Sequence, residues 1–389
     1  MKIFKYLTLG IGLTLFLFSC NKDQKTSSNS DLPPTFSFEV TDSVLVDYLG
    51  DLKLRSYDTK SGNYLLTTEY TEKYVEVNEE GKILVEKDFS QDTKEAINFV
   101  LGAEYLNGEV VVLSETKGFV KFENGVKSGE ITIPYEFTPY MIYSNLGLFE
   151  YENKIYYPRP MKFEDYAEIR EGIKLYRFLY NQPFMESQDL TTGDTLGVMQ
   201  LPETSFLRNG NMHGMIFPII TATEKYVLMG TWTEPTFYVY RKENGQINYE
   251  RTVEITIPDW EKAIETGSDE SADFFKQNAS HRSGNMVALL KVKDYYLAIY
   301  QKGIPENQMP ETNENREIFG MEMKRKNSYF AAVFDQEFNQ LAVNIPFPKT
   351  IHAPNQINSD NELVASKDPV LSDEESEGIV LYKIKLVEE

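Results

Sequence analysis

The sequence feature that most constrains the fold is one pattern that recurs along the chain. An apolar strand leads into a second strand, a turn containing Gly, Asn or Asp follows, and a further strand comes after it. Six segments carry this pattern, with inserts of different length. The first five are marked by turns at Asn78–Gly81, Asn124–Gly125, Thr192–Asp194, Asn244–Gly245 and Asp335–Asn339, and the sixth by the strands Glu362–Ser366 and Gly378–Val387. Strand-rich units repeating every ~40–60 residues are typical of radial β architectures.

The pattern predicts an all-β fold, a six-bladed β-propeller. Radial repetition of small antiparallel sheets leaves only short, protected edges. The last segment lacks an outer strand, whereas Phe36–Asp47 has strand character and no partner nearby. We therefore predict that this N-terminal strand completes the last blade and closes the ring, which removes an exposed edge. A β-sandwich, or two of them, is the alternative interpretation of the same strands.

Three stretches between the predicted strands have a different character. Asp259–Glu265 places Trp260, Ala263 and Ile264 on one face of a helix, with Asp259 in the first turn. Residues 161–180 are partly amphipathic at helical spacing. Residues 309–326 are polar and charged, and we predict a loop there. The two helical stretches are expected as short insertions on the propeller rim.

The first twenty residues have the layout of a secretory signal. Lys2 and Lys5 precede Tyr6–Phe18, an uncharged and mostly apolar run that is too short to span a bilayer. The string Leu17-Phe18-Ser19-Cys20 resembles a lipobox, at which a peptidase cuts before the cysteine and the thiol carries a diacylglycerol. Cys20 is the only cysteine of the chain. We predict a lipoprotein signal peptide over residues 1–19 and lipidation of Cys20.

The residues after Cys20 predict the domain organisation and location. Residues 20–34 comprise the lipidated cysteine and a polar, Ser- and Asn-rich stretch ending in two prolines, which is the composition of a flexible tether. Residues 35–389 contain no further linker and are predicted to form one propeller domain. The predicted location is the bacterial cell envelope. The lipid on Cys20 would anchor the chain to the outer membrane, with the domain facing the periplasm or the cell surface.

The charge of the chain limits its partners. The formal net charge is −21, whereas binding to nucleic acid needs clustered Lys and Arg. We therefore expect no nucleic-acid partner, and we expect that the anchor, not the protein surface, holds the membrane. We also expect a monomer.

Three stretches carry a resemblance to a known family. They are "VLMGTWTEPTFYVYRKENGQ" at 227–246, "NSYFAAVFDQEFNQLAVNIPFP" at 327–348 and the C-terminal strand at 378–386. Together with the lipobox, they resemble an uncharacterised family of lipid-anchored six-bladed β-propellers of Gram-negative bacteria, within the TolB-like propeller group. The resemblance implies the fold and the anchor, and it implies no catalytic residues.

Candidate binding residues come from segments that lead into predicted blades. The sequence contains no phosphate-binding loop, dinucleotide fingerprint, esterase elbow or zincin motif. Three histidines precede predicted strand pairs and would point into the central channel together, as a site for a metal or an anion. Arg and Asn side chains near two of them could hold a carboxylate or sugar hydroxyls. These candidates are His213, His281, His352, Arg208, Asn211 and Arg282. The alternative interpretation is that they are ordinary loop residues.

Three classes of function remain open at this point. The first is a membrane-anchored propeller that binds a protein, a peptide or a glycan without catalysis. The second is a metal-dependent hydrolase, either lactonase-like or active on glycans, with its site in the central channel. The third is a sensory or structural element of the envelope without a ligand. No cofactor is evident from the sequence, and the metal content of the channel stays open.

We expect Cys20→Ala to abolish lipid attachment, because it removes the only thiol. Radiolabelled palmitate fed to expressing cells should label the wild-type chain and leave the variant unlabelled. Ser19→Ala is the matched control, since it keeps a small residue before the cleavage position and should retain the label. An unlabelled wild-type chain, or a labelled Cys20→Ala chain, would contradict the prediction.

Overall fold

The computed structural model describes residues 34–69, 72–89, 97, 100–115, 118–138, 145–165, 173–267, 271–311, 315–372 and 377–389. The predicted signal peptide, Cys20 and nearly all of the tether lie outside the described residues. The prediction of those segments is therefore unaffected by the structure.

The strands of the described residues form six four-stranded antiparallel sheets and one two-stranded ribbon. Strand β1 spans Phe36–Val46. Blade 1 contains β2 (Lys53–Asp58), β3 (Asn63–Thr67), β4 (Lys73–Val77) and β5 (Ile83–Asp88), and blade 2 contains β6 (Val100–Leu106), β7 (Glu109–Ser114), β8 (Gly118–Glu123) and β9 (Val126–Ile131). Strand β10 (Phe137–Thr138) pairs with β13 (Met161–Lys162), and blade 3 contains β11 (Phe149–Tyr151), β12 (Lys154–Pro158), β14 (Pro183–Asp189) and β15 (Thr195–Gln200).

Blades 4 to 6 follow the same order. Blade 4 contains β16 (Pro218–Ala222), β17 (Tyr226–Thr231), β18 (Thr236–Glu243) and β19 (Gln246–Glu254). Blade 5 contains β20 (Arg282–Val292), β21 (Tyr295–Ile304), β22 (Tyr329–Phe334) and β23 (Gln340–Pro346), and blade 6 contains β24 (Gln356–Ile357), β25 (Leu363–Ser366) and β26 (Ile379–Glu388). The predicted six-bladed propeller is confirmed.

The first strand of the chain completes the last blade, as predicted. Strand β1 pairs antiparallel with β26 from Phe36↔Glu388 to Val46↔Ile379, with a bulge at Thr41. Blade 6 therefore combines three strands from the end of the chain with one from its start. On the inner side of the same junction, the Gln356 side chain donates to the carbonyl of Arg55 at 2.7 Å and accepts from the Tyr57 amide at 3.2 Å.

Each pair of neighbouring blades packs through its own hydrophobic cluster. The second strand of a blade is buried on both faces, and its side chains alternate between the two neighbours. In β17, for example, Leu228 joins the cluster shared with blade 5, whereas Val227 and Met229 join the cluster shared with blade 3. This two-sided burial explains why such strands are nearly continuous apolar runs.

The helix predicted over Asp259–Glu265 is wrong. Asp259 has a φ of 60°, and no helix is assigned across this segment. The Glu261 amide instead donates to the Lys302 carbonyl at 2.8 Å, and the Glu261 carbonyl accepts from the Gly284 amide at 2.7 Å. Tertiary hydrogen bonds to blade 5 therefore override the local helical pattern, and Trp260 covers Gly284 so closely that a Cβ there would lie 2.7 Å from the indole ring.

Three α-helices have both ends within the described residues. Helix α1 spans Ile173–Tyr180, within a stretch predicted to be partly helical, and α2 spans Ser271–Ala279. Helix α3 spans Arg316–Lys326, where we predicted a loop. The Asn315 side chain caps α3 by accepting from two backbone amides, and the last turn is basic, which complements the helix dipole. No helix in the described part of the chain is long and apolar enough to cross a membrane.

We expect Val46→Asp to destabilise the propeller by about 3 kcal/mol or more, because it buries an unpaired carboxylate between blades 6 and 1. Val46 is fully buried in that cluster. Leu45→Asp is the matched control, since Leu45 is the preceding residue of β1 and is 56% exposed. Urea unfolding of both variants measures the difference. Equal stability of the two variants would show that β1 does not close the ring in this register.

Candidate functional site

The innermost strands of the blades surround a central channel. These strands are β2, β6, β11, β16, β20 and β24. Successive strands of a blade run in opposite directions. One side of the ring therefore carries the start of the first strand, the end of the second, the start of the third and the end of the fourth. We call this side the upper face and the opposite side the lower face.

A cavity of about 550 Å³ opens into the channel from the upper face; we call it the upper cavity. One wall comes from blades 4 and 5 and is largely apolar, and it includes Phe217, Ile219, Trp232, Leu289 and Tyr329. The other wall comes mainly from blades 1 and 6 and is polar, and it includes Lys53, Arg55, Glu69, His352 and Asn355. The upper cavity is therefore amphipathic across its width.

Two walls of the cavity are shaped by β-bulges in innermost strands. The register of β2 shifts between Leu54 and Ser56, which leaves Arg55 as the extra residue, and the register of β20 shifts around Val287. Bulges re-aim side chains next to functional sites. The Arg55 guanidinium is held in place because its Nε donates to the Thr67 hydroxyl at 2.8 Å and one Nη donates to the Glu69 carbonyl at 3.4 Å.

His352 is the candidate histidine that lines the upper cavity. It also lines a groove of about 420 Å³ that continues outwards over the junction of blades 6 and 1, past Leu49. Its Nδ1 lies 3.6 Å from Asp368, which also accepts from Lys324 Nζ at 2.8 Å. Burial lowers the pKa of His352, and the neighbouring Asp368 carboxylate opposes part of that effect.

A second cavity of about 380 Å³ continues the channel towards the lower face. The two cavities share Asn145, Ile220, Thr221, Leu290 and Asn355. Glu104 lines the lower cavity and accepts from the Leu148 amide at 3.2 Å. Burial raises the pKa of Glu104 to about 7, although backbone amides of Leu146 to Leu148 favour its ionised form.

His213 is buried away from the upper cavity. Its imidazole packs against Phe206, with ring centroids 4.3 Å apart, and its backbone amide donates to the Tyr180 hydroxyl at 2.9 Å. Nε2 lies 3.0 Å from Asn209 Oδ1. Nδ1 lies 3.9 Å from Glu265 and makes no hydrogen bond within the described part of the protein. Burial lowers the pKa of His213 from 6.5 to about 4.

The remaining candidates act mainly in local structure. Asn211 Nδ2 donates to Glu265 at 3.1 Å, which places Asn211 beside His213. Arg208 donates to the Leu201 carbonyl at 2.9 Å and to Asn181 at 3.1 Å. His281 Nε2 lies 2.7 Å from the Lys262 carbonyl, and Arg282 donates to the carbonyl of His281 at 3.0 Å.

The structure does not bring the three histidines together. His213 and His281 both contact the segment 262–265, but through different residues, whereas His352 contacts Asp368. Among the residues that the structure describes, no group of three or more His, Cys, Asp or Glu side chains is placed to hold a metal ion.

Trp232 is the most prominent cavity residue that the sequence did not single out as a binding residue. It follows the second strand of blade 4, is 42% exposed and packs on Phe217 with ring centroids 4.2 Å apart. The sequence offered one signal for Trp232, which is its position directly after a buried second strand. Second strands end on the upper face, where the cavity opens.

Comparisons with known proteins support the fold. No protein-family model matches the sequence, and no curated protein matches it. A solved structure of a DUF4221 family member from Bacteroides vulgatus is similar, with 12% identity and a TM-score of 0.63 over 91% of this chain and 99% of that chain. At this identity the likeness concerns the propeller fold alone.

Two further solved structures are less similar. A Bacteroides fragilis protein presumed to be exported has 11% identity and a TM-score of 0.48 over 93% of this chain and 98% of that chain. BamB from Moraxella catarrhalis has 9% identity and a TM-score of 0.37 over 89% of this chain and 97% of that chain.

We expect His213 to make stability depend on pH. An unfolded chain binds this proton near pH 6.5, and the folded chain binds it only near pH 4. The stability contributed by neutral His213 is therefore fully present above pH 6.5. As the pH falls towards 4, the free energy of unfolding decreases by about 3 kcal/mol. Urea unfolding of wild type and His213→Gln at pH 7.5 and pH 4 should give a flatter dependence for the variant.

The difference between the two proteins isolates His213. Burial raises the pKa values of Glu104 and Glu234 to about 7. Their contributions to stability therefore change in the opposite direction, because they are present at low pH and are lost as the pH rises to 7. Both proteins retain these carboxyl groups. An identical pH dependence in wild type and variant would mean that His213 is protonated equally in folded and unfolded chains.

Proposed function

We propose that the protein is an exported, lipid-anchored propeller of the bacterial cell envelope that binds a ligand in the upper cavity. The observation that supports this most directly is the upper cavity itself. Its volume of about 550 Å³ lies within the range of about 300–1,000 Å³ that is usual for ligand sites, and such sites combine apolar walls with a few polar groups. The anchoring part of the proposal rests on the lipobox-like sequence that ends at Cys20.

Strand β1 begins at the lower face of the propeller. Phe36 pairs with Glu388, at the end of the third strand of blade 6, so Pro34 lies near the lower face, on the side opposite to the upper cavity.

Site-specific photo-crosslinking in intact cells tests the proposed function. A benzophenone amino acid at Leu49 would sit in the groove that adjoins the upper cavity, where Leu49 is 91% exposed. The same group at Lys60, an exposed position in the β2–β3 turn on the lower face, is the matched control. We expect an adduct at Leu49, identified by mass spectrometry, and none of the same mass at Lys60.

A cavity-filling variant makes this experiment specific. Val287 lines the upper cavity and is the bulge residue of β20, so Val287→Trp should fill the space and reduce the adduct at Leu49. Leu190→Trp adds the same side chain at an exposed position on the rim and should leave the adduct unchanged. Equal adducts at Leu49 and Lys60, or no adduct at either, would contradict a ligand site on the upper face.

A further inference from the structure

We propose that the ligand of the upper cavity is an amphipathic organic anion, with an apolar ring or chain that carries one acidic group. This inference rests on the proposed function and deepens it by naming the chemical class of the ligand. The apolar part would lie against the wall from blades 4 and 5, and the acidic group would lie against the wall from blades 1 and 6.

The apolar wall offers a surface for a ring or chain. Trp232 is 42% exposed although it packs on Phe217 with an interplanar angle of 35°. Ile219, Leu289 and Tyr329 extend the same wall into the channel. Covering an exposed aromatic surface of this kind stabilises a complex in proportion to the apolar area removed from water, and stacked or tilted ring contacts add to that.

The polar wall has an excess of cationic groups. Lys53 and Arg55 line it, whereas Glu69 is the only acidic side chain among the described residues that line the upper cavity. His352 also lines it, but burial lowers its pKa, so it adds no charge at neutral pH. Lys53 Nζ lies 3.0 Å from Asp51, but Asp51 is 60% exposed, so water screens that pair. The Arg55 guanidinium is buried and pre-positioned by its bond to Thr67, with the Glu69 carboxylate as a nearby counter-charge, so an anion beside it would be held without reordering of the side chain.

The charge of the whole chain makes this local excess selective. The chain carries a net charge of −21, which repels anions from most of its surface. A cationic wall inside a narrow, low-dielectric channel attracts an anion there more strongly than a charged group on the surface would. A cation with the same apolar body would be repelled by Lys53 and Arg55, and a neutral body would make no charge contact with either.

Three probes of one shape test this inference by isothermal titration calorimetry. They are 2-naphthoate, its neutral isostere 2-naphthamide and the cation 2-naphthylmethylammonium. The protein is the lipid-free chain from Asn21 onwards, which retains the compact unit Pro34–Glu389 with all six blades. We expect 2-naphthoate to bind about tenfold more tightly than either other probe, as one partly desolvated charge contact provides.

Substitutions place the binding on the two walls. Lys53→Gln should weaken 2-naphthoate about threefold and leave 2-naphthamide unchanged. Trp232→Ala should weaken both about tenfold, because both lose the same apolar surface. Lys60→Gln, on the lower face, is the matched control for charge and should change neither affinity, and thermal unfolding of each variant checks that the fold is retained.

The outcomes separate this inference from the proposed function. If 2-naphthamide or the ammonium probe binds as tightly as 2-naphthoate, and Trp232→Ala weakens it, the anionic class is overturned while a ligand site in the cavity stands. If none of the three probes binds, or if Trp232→Ala has no effect on 2-naphthoate, the inference is overturned. The crosslinking at Leu49 then decides independently whether the upper face binds another kind of ligand.

Discussion

The pairing of β1 with β26 is the interaction on which the rest of the structure depends. It joins the two ends of the described chain in one blade, and it leads directly into the segment that crosses the upper face to β2. That segment places Lys53 and Arg55 of blade 1 beside His352, which precedes blade 6. The polar wall of the upper cavity is therefore built at the seam where the ring closes. A ring left open at this seam would lose both a hydrophobic cluster and one wall of the site.

Polar groups inside the blades are paired in a way that makes the packing specific. The hydroxyls of Tyr238, Tyr105 and Tyr157 donate to the carboxyl groups of Glu234, Glu76 and Glu186, at 2.5, 2.9 and 3.1 Å. Burial raises the pKa of Glu234 to about 7. Removing one partner of such a buried pair leaves the other unsatisfied, which costs about 1–3 kcal/mol. The Tyr105–Glu76 pair joins blade 2 to blade 1 and thus favours their observed packing, whereas the other two pairs fix side chains within blades 4 and 3.

The sequence predicted the ring better than it predicted the site, for a physical reason. Second and third strands such as β17 and β18 are buried on both faces, so their apolar runs and the Asn244–Gly245 turn stand out. Innermost strands line a channel and are short or irregular, and β24 has only two residues. Their side chains, including Arg55 on a bulge, carry no periodic signal. The histidines stood out by residue type, but only His352 reaches the upper cavity.

The two incorrect assignments outside the strands have tertiary causes. Residues 259–265 have a helical pattern, but Glu261 forms backbone hydrogen bonds with blade 5 instead. Residues 316–326 have little apolar periodicity, yet the Asn315 cap and the basic last turn stabilise a helix without a buried face. Local pattern alone cannot weigh such contacts, because one depends on a distant strand and the other on end effects.

Native-state hydrogen exchange tests most directly whether the seam is integral to the fold. We predict that the hydrogen-bonded amides of β1 exchange only through global unfolding, with the same free energy as those of the central strand β21. The amides of Val44 and Val46 are the most informative, because these residues are buried at the seam. Exchange of the β1 amides at a free energy several kcal/mol below that of β21 would contradict this prediction. The first strand would then detach while the remaining blades stay folded.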